Sequence, residues 1–368
     1  MTNNKSNKKI NLVIIFGGKS AEHEVSILSA KSIVKAINKN RYNISLVGIT
    51  KQGKWLAIKE QDLLKGDLAL DSKGLNEKRD SAELLNAKNK KFFLEDNLPN
   101  EKVDVVFPIL HGPFGEDGTI QGLLKMLDVA FVGPSVLGSA VNMDKDVSKR
   151  LLKEAGLPIS KFVVCRSNQR KKISFAEIKE ELGMPLFVKP ANLGSSVGIS
   201  KVEQEVDFKK AIEEAFLFDD KIIIEEAVVG KEIECSVLGN ENPIASVPGE
   251  IIPTQNFYSY KAKYFDENGA KMAIPANISE NVTKKIKEMA VDAFKILCCE
   301  GMGRVDFFLT EDNKIFINEI NTIPGFTPVS MYPKLWKESG ISYSELIDKL
   351  IQLAIDRKEK ENKLKTTI

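Results

Sequence analysis

Gly194-Ser-Ser-Val-Gly198 is the first segment whose residue types and spacing could do chemistry. As a G-x-S-x-G elbow it would present Ser196 as a nucleophile, with an acid and then a histidine to follow along the chain. The sequence has only two histidines, His23 and His111, and both precede the serine. That order argues strongly against a serine hydrolase. The alternative is a small, flexible loop whose backbone N–H groups and hydroxyls cradle phosphate. Lys189-Pro190, five residues before Gly194, supplies a cation at the end of an apolar run. An ordinary Gly/Ser turn stays open on this segment alone, and neither a Walker A sequence nor G-x-G-x-x-G occurs.

A second constellation is Arg304-Val-Asp306 with Glu319-Ile-Asn321. Alternation along a strand puts Arg304 and Asp306 on one face, and Glu319 and Asn321 on one face of the next. Asp312-Asn313 makes a suitable turn between them. Two carboxylates, an amide oxygen and a guanidinium would then gather, and such oxygen donors suit Mg²⁺. A solvent-facing polar side is the plainer reading, against which stand the flanking Phe307, Ile317 and Ile320. Glu225, Glu226 and Glu232 lie around another strand end, a weak signal by itself. Near the N-terminus, Glu22, Glu24 or Ser26 could start a helix, or one of the acids could bind an amine. His111–Gly118 has three glycines in eight residues at a further strand end.

The elements that must position these residues alternate. Residues 10–16 read as a strand buried on both faces, followed by a helix over 26–37 and a strand over 44–50. This β-α-β start predicts a parallel sheet with ligand chemistry at the carboxyl ends of its strands. Further strands are expected at 103–110, 162–165, 186–189, 222–226, 232–238, 244–252, 303–310 and 314–319. Helices are expected at 145–155, 174–182, 205–216, 279–298 and 342–355. Residues 253–276 show neither period yet carry five aromatics, which predicts a closing lid rather than a disordered loop. The lysine-rich run from Lys358 onward reads as solvated or frayed.

Composition limits the partners. The chain has 368 residues, enough for two or three domains. Lys and Arg number 53 against 51 Asp and Glu, a balance that argues against nucleic acid or an anionic membrane as the main partner. Four irregularly placed cysteines give neither a disulfide framework nor a zinc pattern, and Cys298-Cys299 read as core thiols. With no signal-peptide core and no membrane-length apolar run, a cytoplasmic protein is expected.

Several segments in this order resemble the D-alanine–D-alanine ligase family of the ATP-grasp fold. They are residues 16–26, 111–122, 142–145, 189–198, 225–232, 258–264, 303–308 and 318–325, and the likeness spans nearly the whole chain. It implies α/β and α+β architecture in three domains: 1–144 with a parallel sheet, 145–235, and 236–368 carrying the lid. It also implies ligation of two D-alanines at the expense of ATP through a D-alanyl phosphate, in peptidoglycan precursor synthesis. Making D-alanyl-D-lactate, or another carboxylate–amine ligation on this fold, is the alternative; a nucleotide-binding regulator that has lost catalysis would lack the lysines and metal ligands present here.

By the same resemblance Lys145 and Lys189 hold the ATP phosphates, with Ser195 and Ser196 in the loop and Lys263 reaching them on closure. Glu225, Glu226 and Val228 meet adenine and Glu232 the ribose. The family often has Lys where this chain has Glu226, a contact expected through backbone. Asp306, Glu319 and Asn321 bind two Mg²⁺ ions, with Mn²⁺ a substitute. Glu22 takes the first D-alanine's ammonium, with His111 near its carboxylate, and Ser195 and Tyr264 link Glu22 to the lid. Arg304 and the Gly325 N–H stabilise the tetrahedral oxyanion, while Arg304 and Ser330 grip the second carboxylate. Tyr264 in place of Phe favours peptide over depsipeptide, and a homodimer is expected.

Overall fold

A computed structural model describes residues 8–66, 102–195, 197–253 and 270–365. The first sheet comprises β1 (Ile10–Gly17), β2 (Tyr42–Ile49), β3 (Trp55–Ile58), β4 (Val105–Ile109) and β5 (Ala130–Phe131), in the order β3-β2-β1-β4-β5. β1 runs parallel to β2 and β4, and β3 alone pairs antiparallel. β1 is buried on both faces because helices cover it, among them α1 (His23–Ala36). The expected parallel sheet is therefore present, and its strand ends deliver the loops at 17–22 and 110–118.

The second sheet has the order β6-β9-β7-β8, built from β6 (Phe162–Arg166), β7 (Leu186–Pro190), β8 (Ser200–Val202) and β9 (Lys221–Glu226). All its pairings are antiparallel. The third sheet has the order β13-β12-β10-β14-β15, with β11 on the side of β10. Its strands are β10 (Lys231–Gly239), β11 (Ile244–Ala245), β12 (Gly249–Pro253), β13 (Ala270–Ala273), β14 (Gly301–Leu309) and β15 (Ile315–Asn321). The single strand expected over 244–252 is two, because Pro248 has no N–H for a ladder and the Val247 N–H goes to Ser339 Oγ at 2.8 Å. The helix Lys145–Glu154 bridges the second and third sheets, capped at its start by the Asp144 carboxylate.

The C-terminal helix Tyr343–Glu361 returns to the first sheet: Leu346, Ile347, Leu350 and Ile351 share one buried cluster with Leu12, Ile14, Phe16 and Phe107. Of the two expectations for the run from Lys358, the solvated one holds, since most of it is exposed, and the frayed one does not as far as Glu361. The helix continues through Glu361, and Lys358 and Lys360 pair with Asp128 and Glu241. Cys299 is buried as expected, but Cys298 is exposed just beyond the end of its helix. Short helices at Thr119–Met126, Val136–Met143 and Met331–Glu338 were not expected, each too brief to show a clear period. Among the described residues no helix is long and apolar enough to cross a membrane.

Candidate active site

At the end of β1 the chain turns through Gly17–Glu22 into α1. Glu22 precedes the helix, yet its carboxylate makes no cap to it, so the helix-start reading of this acid fails. Glu22 is 6% exposed and its Oε1 accepts the hydroxyl of Ser195, which arrives from the Gly/Ser loop between β7 and β8. Ser195 holds a left-handed backbone, φ 52, an unusual state for a side-chain-bearing residue that the loop must stabilise elsewhere. Gly112 packs against the same acid. Its φ is +73, and a Cβ there would stand 2.7 Å from Glu22 Oε2 and 2.9 Å from Ser20 Oγ. Gly112→Ala is therefore expected to cost roughly 1–2 kcal/mol from the left-handed backbone and to displace Glu22. Isothermal titration should show weaker amino-acid binding with nucleotide affinity unchanged; unaltered amino-acid binding would contradict the packing.

His111 is 4% exposed and holds two partners. Nδ1 lies 2.9 Å from the Ile323 carbonyl, an obligate acceptor, so Nδ1 carries the proton. Nε2 lies 3.3 Å from Ser29 Oγ, which accepts the Phe326 N–H at 3.1 Å and so has its own proton to donate. Burial pushes the imidazole down to about 4, only partly opposed by the Ile323 carbonyl. The folded pKa lies below the ordinary 6.5, so this stabilisation is complete above pH 6.5 and is lost as pH falls toward 4. The loss by pH 4.5 should be about 2–3 kcal/mol. Denaturant unfolding at pH 7 and 4.5 should show that excess loss relative to His111→Gln; equal losses would contradict it.

Three lysines meet between the second and third sheets. Lys145, at the start of its helix, donates to the Leu193 carbonyl at 2.7 Å and pairs with Glu319 Oε2 at 3.2 Å. Lys189 on β7 lies 2.5 Å from Glu225 Oε2. Lys149, one turn after Lys145 and 1% exposed, takes Glu225 Oε1 at 2.9 Å and donates to Ser160 at 2.9 Å. Burial works against charge on Glu225, but the two lysines outweigh it and hold the carboxyl down to about 2. Its side chain is thus committed to cations, leaving the backbone for any adenine contact. The Glu226 carboxylate accepts the Lys161 N–H at 2.7 Å, and Val228 follows in the half-buried turn after β9.

On the third sheet Arg304 faces Asn321 and Asp306 faces Glu319 across adjacent strands, so the expected four-residue face is present. Arg304 holds both Asp306 oxygens at 2.7 Å and Glu234 at 2.9 Å. Asn321 donates through Nδ2 to Asp306 at 2.9 Å, which leaves its amide oxygen as an acceptor. Among the described residues no three His, Cys, Asp or Glu side chains form a metal cluster. The set of two carboxylates and an amide oxygen suits a cation that takes its remaining ligands from substrate phosphates and water, as Mg²⁺ does. Gly325 and Ser330 are adjacent, since a Cβ on Gly325 would lie 2.7 Å from Ser330 Oγ. Glu232 lies on β10 with its charge felt at Lys189.

Ser196, Lys263, Tyr264 and most of the expected lid lie outside the described residues. Lys149, Glu234, Glu116 and Ser29 were missed from sequence. Lys149 had a signal, its i+4 spacing from Lys145; Glu234 had one too, its alternation with Glu232. Glu116 looked like one more loop acid and Ser29 like an ordinary helix serine.

Two antiparallel sheets, one bearing Lys189 and the other bearing Asp306, Glu319 and Asn321, with the Lys145 helix between them, form the framework of an ATP-grasp ligase. Two family models match, one described as D-ala D-ala ligase N-terminus over residues 11–134 and one as D-ala D-ala ligase C-terminus over residues 151–352. The chain belongs to the D-alanine–D-alanine ligase family. It is 54% identical over 356 residues to the D-alanine–D-alanine ligase of Oceanobacillus iheyensis, covering 96% of this chain and 97% of that one. It is 50% identical over 366 residues to D-alanine–D-alanine ligase A of Escherichia coli, covering 98% and 100%. Among solved structures, the D-alanine–D-alanine ligase of Coxiella burnetii superposes with a TM-score of 0.83 at 39% identity, covering 96% and 98%. The VanG D-Ala:D-Ser ligase of Enterococcus faecalis also gives 0.83, at 38% identity, covering 94% and 100%.

Proposed function

We propose that this chain joins two D-alanines into D-alanyl-D-alanine with release of ADP and phosphate, supplying a peptidoglycan precursor. The observation that carries the reading is the contact between Glu22 and Ser195, which joins the acid we assign to the ammonium to the loop we assign to the phosphates. An amino acid whose ammonium sits at Glu22, with neutral His111 on its carboxylate side, has that carboxylate directed toward the transferable phosphate. Lys145 and Lys189 hold the nucleotide's phosphates, and Glu232 meets the ribose. The backbone around Glu225, Glu226 and Val228 meets the adenine.

A carboxylate oxygen attacks the γ-phosphorus, the bond to ADP breaks, and a D-alanyl phosphate forms. The two lysines neutralise the repulsion between the anionic partners, the kind of fixed electrostatics that dominates phosphoryl transfer. The second D-alanine, its carboxylate at Arg304 and Ser330, attacks the acyl carbon through its amine, and phosphate leaves with the original carboxylate oxygen. Arg304 and the Gly325 N–H stabilise the oxyanion between the two events. Asp306, Glu319 and Asn321 would hold two Mg²⁺ ions, which neutralise phosphate charge when bound. By the family resemblance Lys263 would meet the phosphates, and Tyr264 and Ser196 would help to keep water from the acyl phosphate.

Boundaries near residues 144 and 235 divide the chain into three units, and we expect a homodimer in the cytoplasm. The VanG relative makes the second substrate the point to test. Phosphate release should be measured with D-alanine, L-alanine, D-serine or D-lactate, alone and in pairs, with products identified. D-alanine alone should sustain release and yield the dipeptide; a preference for D-serine or D-lactate as the second partner would overturn the peptide assignment.

A further inference from the structure

The backbone of Ile323 is held at both its N–H and its carbonyl by the loop that follows β4. Its carbonyl takes the His111 Nδ1 proton at 2.9 Å, and its N–H is given to Glu116 Oε1 at 2.9 Å. The same oxygen lies 3.4 Å from the Thr322 hydroxyl. The other Glu116 oxygen accepts the Gly112 N–H at 2.8 Å. One carboxyl group thus ties the glycine that packs on Glu22 to the segment that leads from the metal-site strand to Gly325.

The rest of that segment is anchored independently. Phe326 is fully buried, edge-on to Phe107 of the first sheet at 5.8 Å between ring centroids, and its N–H goes to Ser29. Residues 322–327 are all buried except Gly325, which is half-buried. A segment fixed on both sides of one accessible glycine holds that glycine's amide in one place. We infer that Glu116 is a positioning residue of the ligation step, setting the Gly325 amide for the oxyanion by fixing Ile323 and Gly112 together. Burial and the nearby Glu22 carboxylate raise Glu116 above the ordinary carboxylate range, so this acid is kept where charge is costly. Its three partners are backbone N–H groups and a hydroxyl, with no cation among them. A group serving surface solubility would not be placed so.

The inference rests on the ligase reading, and the test separates the two. The probe is a phosphinate analogue of D-alanyl-D-alanine, whose tetrahedral oxygen occupies the place of the oxyanion. Glu116→Ala should lower kcat and analogue affinity by about 100-fold, as loss of an oxyanion donor does. The KM for ATP should stay within about twofold, because no ATP-binding lysine touches Glu116. Glu116→Gln keeps an oxygen for Ile323 but sets an NH₂ group against the Gly112 N–H, and roughly tenfold loss is expected. An Ala variant that keeps kcat and analogue affinity, or that loses ATP affinity equally, overturns the inference. Should the Ala variant fail to fold, the Gln variant decides, and parental kcat in it overturns the inference. A parent enzyme that neither forms dipeptide nor binds the analogue defeats the ligase reading instead.

Discussion

Glu22→Gln is expected to lower kcat/KM for D-alanine by roughly 10²–10³, the equivalent of about 3–4 kcal/mol for unpairing a buried charge. The acid is 6% exposed, so an ammonium bound there leaves water and depends on the carboxylate for compensation. The amide keeps the size and can still accept the Ser195 hydroxyl, which separates charge from shape. The KM for ATP should move little, because Lys145 and Lys189 are engaged with Leu193, Glu319 and Glu225 rather than with Glu22. Steady-state kinetics with each substrate varied in turn gives the answer, and unchanged D-alanine kinetics would remove Glu22 from the amino-acid site.

Lys189→Met should act at the other end. Lysine-to-phosphate contacts are charge-assisted, and losing one in a water-poor site should lower kcat/KM for ATP by roughly 10²–10³. The fold should survive, since Glu225 keeps its 2.9 Å contact with Lys149. Lys149→Met should behave differently. It leaves Lys189 drawn wholly to Glu225 and orphans the Ser160 contact, so stability should fall along with ATP use. Nucleotide titration together with thermal denaturation distinguishes the two lysines. A Lys189→Met enzyme with parental ATP kinetics would show that this cation does not serve the phosphates.

The two ends of the site differ in how far the sequence reveals them. Asp306, Glu319 and Asn321 were legible because strand alternation forces them onto one face, and the register of β14 and β15 keeps them there. Lys189 was legible as a cation at a strand end beside a Gly/Ser loop. The Glu225 carboxylate lies between Lys149 and Lys189; pairing across separate elements leaves no trace in local spacing. Glu116 was invisible for the same reason. Its partners are backbone groups at residues 112 and 323, brought together only when the segment after β15 packs onto the first sheet. The C-terminal helix was found by its period, but its end was not, because the last turns are exposed and lysine-rich, and the ion pairs of Lys358 with Asp128 and Lys360 with Glu241 join distant elements.

A structural relative at 38% identity is a D-Ala:D-Ser ligase, so a fold shared this closely is compatible with different nucleophiles. What the proposed reaction commits to is earlier: activation of an amino acid's own carboxylate by ATP. Isotope transfer tests that commitment most directly. D-alanine labelled with ¹⁸O in its carboxylate should be converted by enzyme, Mg²⁺ and ATP into D-alanyl-D-alanine. The phosphate released should carry one ¹⁸O for each peptide bond formed, read by mass spectrometry. Dipeptide formed with unlabelled phosphate, or phosphate released without dipeptide, would contradict ligation through a D-alanyl phosphate.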